Sequence, residues 1–147
     1  MKKFSFPLEK LRLWRQKQLE AEVVRLGQYQ AEQESLRLKR LAMLREEELV
    51  LNAVRDLPEP SAEGMQAADA FRQWCLKESG RLSREERDAA RRVAQQKEVV
   101  LEAKRGVEAL ERLKDRRQQE WRAAVDKETE EMVAELVVAR WATHGAD

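Results

Sequence analysis

The stretch from Ser83 to Trp141 contains no proline and a single glycine, Gly106. Within it Val93, Val100 and Val107 recur every seven residues, and Gln96, Ala103 and Leu110 follow each of them by three. That is the a/d spacing of a coiled-coil seam, which keeps one narrow stripe of a helix turned toward a partner helix. Past polar positions at Lys114 and Arg117 the stripe resumes as Trp121, Ala124, Val125, Met132, Leu136 and Ala139. A straight helix over 83–142 is about 90 Å long at 1.5 Å per residue. A compact domain of 147 residues cannot enclose it. The seam therefore requires a second long helix from the same chain or another.

The chain supplies one. Pro7 suits a first helical turn, where its missing N–H is not needed, and Glu9 opposes the positive end of the helix dipole. From there Leu8, Leu11, Leu19, Val23, Leu26, Tyr29, Leu36, Leu41, Leu44, Leu51 and Val54 follow a helical stripe. Leu57-Pro58-Glu59-Pro60 ends it, because each proline disfavours helix at the residue before it. The spacing thus predicts a first helix over 8–56. Ser61 offers a cap for a short helix over 62–79, with Met65, Ala68, Phe71, Trp74 and Cys75 on one face. Ser79-Gly80 interrupts it, and Ser83-x-x-Glu86 has the form of a capping box that opens the long second helix. The predicted fold is all-α: a single domain, 1–147, forming an antiparallel two-helix coiled-coil hairpin with a short helix in the connection, 57–82. If residue 56 lies opposite residue 83, Trp14 falls opposite Val125 and Trp121 opposite Gln18, an aromatic cluster near the open end. Gly106 marks a close helix approach, a bend or a tolerated weak point.

Composition agrees with long helices: charged residues make up 39% of the chain, with five glycines and three prolines. The 29 Lys and Arg against 28 Asp and Glu nearly cancel and alternate along the chain, so the basic face of a nucleic-acid binder is missing. A lone cysteine, Cys75, permits no internal disulfide. Met1-Lys2-Lys3 is followed at once by charged residues rather than an apolar h-region, so no signal peptide is expected. No apolar run is long enough to span a bilayer. His144 is the only histidine and lies far from Cys75, and no glycine-rich phosphate loop occurs. Carboxylate pairs such as Glu85-Glu86 and Glu130-Glu131 read as solvated charges, since acid–base catalysis needs a cleft to shift a pKa. No enzyme, metal or cofactor is expected.

Interaction chemistry remains. Phe4, Phe6 and Trp141 belong to the open end of the predicted hairpin, and Phe71, Trp74 and Leu76 to its closed end. Large aromatics and arginines are enriched at interface hot spots. The opening Phe4-Ser5-Phe6-Pro7-Leu8-Glu9-Lys10-Leu11, with Arg15 and Glu20, resembles the F-x-F-x-L-E-x-(V/L)…R start of the flagellar export protein FliJ family. Glu111 to Asp115, Trp121-Arg122, and Glu128 through Glu135 to Arg140 are similar to the family's C-terminal pattern, although Glu131-Met132 stands where a Leu-Asp pair is usual.

The resemblance implies a non-catalytic stalk of the flagellar type III protein export apparatus, similar to the gamma stalk of rotary ATP synthases. Its terminal end would stimulate a hexameric export ATPase, through Phe4, Phe6, Leu8, Leu11, Arg15, Arg140 and Trp141. Phe71 and Trp74 would meet the cytoplasmic domain of the membrane export gate or substrate chaperones. The implied location is the cytoplasm, peripheral to the inner-membrane apparatus, with no membrane insertion and no nucleic acid. The alternatives are the equivalent stalk of a virulence type III injectisome, or a structural coiled-coil adaptor with no ATPase partner.

Overall fold

The computed structural model describes residues 2–59 and 61–145. Met1 and Pro60, which entered the sequence reading, lie outside the described residues. The chain forms two long helices, α1 (Glu9–Arg55) and α2 (Ala62–His144), with no strand among the described residues. The backbone amide of Glu9 donates to the carbonyl of Phe6 at 3.1 Å as α1 begins just after Pro7. At its other end the amide of Leu57 donates to the carbonyl of Val54 at 3.3 Å, a tightened last turn before Pro58. Ser61 caps α2 as its type predicts: its hydroxyl accepts from the amide of Gly64 at 3.0 Å.

The helix that starts there is not short. It passes through Ser79, Gly80 and Ser83 without a break, so the capping box does not form and the connection is 56–61 rather than 57–82. The reason is packing. Cys75, Leu82 and Ala89, seven residues apart, are all buried, and burying the leucine side chain alone contributes about 1.5–3 kcal/mol. That outweighs the roughly 1 kcal/mol by which a helical glycine lags alanine. Tertiary contact decides where local signals point to a stop.

The backbone groups into two compact units: Glu20–Leu101, and Met1–Leu19 with Glu102–Asp147. In the first, the helices run antiparallel around a core of Leu36, Met43, Leu82 and Ala89. The Arg40 Nε–H donates to both carboxylate oxygens of Glu86 at 3.0 Å, Arg92 reaches Glu32 at 2.9 Å, and Gln96 meets Glu22. The inward positions of α1 here are Leu26, Tyr29, Gln33, Leu36, Arg40, Met43, Glu47, Val50 and Val54. They alternate three and four apart, as a heptad demands. One of its two rows is apolar throughout, while Gln33, Arg40 and Glu47 occupy the middle of the other. The predicted second-helix seam holds over 93–110: Val93, Gln96 and Val107 are buried, with Val100, Ala103 and Leu110 half-buried. Gln96 is the polar member of that seam, and its amide donates to the main-chain carbonyl of Glu22 at 3.0 Å and to its carboxylate at 2.5 Å.

In the other unit the pairing is also antiparallel. Lys114 reaches Glu9 at 3.0 Å, and Arg15 lies beside Gly106. A Cβ on Gly106 would meet the Arg15 guanidinium at 3.6 Å, an ordinary contact, so this glycine marks neither a backbone crossing nor a bend. Trp121 meets the N-terminal segment at Lys2 and Phe4. This register differs from the predicted one. Trp14 is 53% exposed and does not pair with Val125, and Trp121 lies about four turns from the expected Gln18 level. The displacement follows from the uninterrupted α2: residues 62–82, expected as a separate short helix in the connection, are part of the long helix itself.

Candidate functional site

Two sets of side chains at this end of the chain were predicted to act together, and the structure separates them. The first set belongs to the N-terminal segment. Phe6 is buried, and the ring of Phe4 sits 5.9 Å from that of Trp121, tilted by 53°. The Trp121 indole N–H donates to the carbonyl of Lys2 at 3.2 Å. Glu9 anchors the base of the segment. It accepts from the Arg12 guanidinium at 2.5–3.2 Å and pairs with Lys114 across to α2. These bonds, Arg12 first and Lys114 next, hold its carboxyl down at a pKa of about 2. Phe4 and Phe6 therefore pack against α2 rather than standing free. A groove of about 630 Å³ runs beside them, between Phe4, Phe6, Leu8 and Leu113, Arg117, Trp121. The aromatic cluster expected at the open end, Trp14 with Trp121, does not form; Trp121 pairs with Phe4 instead.

Leu8 and Leu11 are only partly covered, and Arg15 lies with its guanidinium 5.9 Å from the Trp14 ring centre, within cation–π range.

The second set lies on the end of α2. Arg140 and Trp141 are twenty residues beyond Trp121, roughly 30 Å along the helix. The predicted stripe over Met132, Leu136 and Ala139 has no helix against it: every described residue from Asp126 onward is exposed. Trp141 is 76% exposed and Leu136 69%. Val133, Val137 and Val138 are exposed as well, and they lie off the a/d seam from which the sequence expectation is built. The signal was present. Between Met132 and Ala142 only Glu135 and Arg140 are not apolar. At 100° per residue, Met132, Val133, Trp141 and Val138 point in four different directions around the axis. A helix apolar on all sides is normally buried on all sides. The turns themselves are sound: the Thr143 hydroxyl donates to the Ala139 carbonyl at 3.2 Å, and the Gly145 amide to the Trp141 carbonyl at 2.8 Å.

Near the other end of α2, Phe71 and Trp74 stack at 6.1 Å with 26° between their planes. Phe71 is half-buried, whereas Trp74, Leu76 and Met65 are exposed. The sequence-predicted face thus splits, with Ala68, Phe71 and Cys75 inward and Met65 and Trp74 outward.

Among the described residues no group of His, Cys, Asp and Glu is arranged to hold a metal ion, and no helix is long and apolar enough to cross a membrane. No protein-family model, curated protein or solved structure matches the chain.

Proposed function

We propose that the chain is a non-catalytic coiled-coil stalk whose bare helix end is received by an enclosing protein partner. More particularly, it would serve the flagellar type III export apparatus, stimulating the hexameric export ATPase and linking it to the export gate and substrate chaperones. The observation that carries this reading is the end of α2, where large apolar side chains project in every direction from one unpaired helix. A flat partner covers one face of such a helix. A ring pore covers all of them. The FliJ-like opening from Phe4 to Leu11 supports the choice of system. Phe4 and Phe6 then act by packing the N-terminal segment against α2, while Arg140 and Trp141 meet the ATPase, and exposed Trp74 beside Phe71 faces the gate or a chaperone.

The test is ATP hydrolysis by the flagellar export ATPase of the same organism, with and without this chain. The expected result is stimulation that a Val138→Glu, Trp141→Ser double variant loses while its helix content, read by circular dichroism, is kept. An unchanged hydrolysis rate with the wild-type chain would overturn the proposal and leave the structural adaptor.

A further inference from the structure

One face of the bare end of α2 carries a pattern that fits itself. Asp126, Glu130, Val133, Val137, Arg140 and His144 follow one another at intervals of four, three, four, three and four, so they form one row along the helix. The intervals read the same in either direction. The chemistry does not: it runs acid, acid, valine, valine, arginine, histidine. Turning a second copy end for end about a two-fold axis near Glu135 therefore sets Val133 against Val137, Glu130 against Arg140, and Asp126 against His144. Each pairing occurs twice, as a two-fold interface requires. A parallel pairing would instead place acid on acid and arginine on arginine.

We propose that the surface over 126–144 is a self-association site, which a second copy of this chain covers in antiparallel orientation. Three observations carry it. All six residues of the row are exposed, including Val133 and Val137 at its centre. On the neighbouring face, about 100° round the helix, Met132 and Leu136 continue the stripe of half-buried Trp121 and Val125 and are exposed, so apolar side chains flank the row. Arg140 and Glu130 also lack an ion-pair partner among the described residues, so pairing with a second copy breaks no existing bridge. The inference does not rest on the export reading, and a copy bound here shields one side of the helix that the proposed ring would enclose.

Sedimentation equilibrium of the full chain at low salt tests it. A single helix pair of this length lies below the standard interface size, so the expected dissociation constant is on the order of 10 µM. Glu130→Arg and Arg140→Glu, each placing like charges opposite one another, should each weaken association about tenfold. The double variant, with the pair reversed, should return to within about threefold of wild type. A chain that stays monomeric up to about 300 µM would overturn the proposal. So would a double variant no tighter than the single ones, or a Val133→Glu, Val137→Glu variant that associates like wild type.

Discussion

Glu9 shows how much one exposed-looking carboxylate can organise. It lies in the first turn of α1, where a negative charge offsets the helix dipole, and it takes the Arg12 guanidinium within its own helix and the Lys114 ammonium from α2. Its carboxyl is held at about 2 rather than the ordinary 4.5. A group whose pKa is lower folded than unfolded adds stability in full above the unfolded value and loses it as pH falls through the folded one. Thermal stability should therefore decline between about pH 5 and about pH 2, and Glu9→Gln should remove part of that decline. Wild type and variant losing stability in parallel over this range would show that Glu9 contributes nothing to it. Cys75 is the opposite kind of residue. Only 1% exposed, its thiol is pushed up by burial and then by the nearby charges of Glu47 and Glu46, so it serves as a core atom and not as a nucleophile.

At the scale of the helix, α2 forms despite its own weak points. Gly80 and Gly27 both sit within helices, and a Cβ added at either would meet nothing within 4 Å. Replacing each by alanine should raise unfolding stability by about 0.4–1 kcal/mol, because the unfolded chain loses freedom while the folded one gains no clash. Urea unfolding measures this, and a loss of stability in Gly80→Ala would mean that the glycine allows a bend the helix needs. The break predicted at Ser79-Gly80 failed for the same reason that this gain is expected. Glycine weakens a helix without stopping it, and Cys75, Leu82 and Ala89 bind the segment on either side. The cap at Ser61 was legible because a cap is a local bond between residues three apart. The end of α1 was legible because Pro58 acts on its own neighbours.

At the largest scale, α2 is covered along only part of its length. Residues 89–107 carry buried Ala89, Val93, Gln96 and Val107, whereas no described residue beyond Val125 is even half-buried. Amide hydrogen exchange on dilute protein should reflect this, with 126–144 exchanging at least about a hundredfold faster than 89–107. Equal protection in the two segments at low concentration would show that some part of the chain covers the end of α2. A slowing of exchange over 126–144 as protein concentration rises is what the antiparallel pairing requires.

The sequence by itself determined that the chain holds two long helices, where α1 begins and ends, that Ser61 caps a helix, and which heptad positions of 93–110 face inward. Those properties follow from the local bonding of serine and proline and from a periodicity written in adjacent residues. The sequence placed the start of the long second helix at Ser83, whereas α2 runs unbroken from Ala62. Register was beyond it. An interruption at Gly80 or an uninterrupted helix differ locally by about 1 kcal/mol, yet the choice displaces the expected helix pairing by several turns. Only the packed structure decides it, through apolar contacts between residues far apart in sequence. The same displacement leaves Phe4 folded onto Trp121, Trp14 uncovered, and the apolar stripe over Met132, Leu136 and Ala139 without a helix beside it.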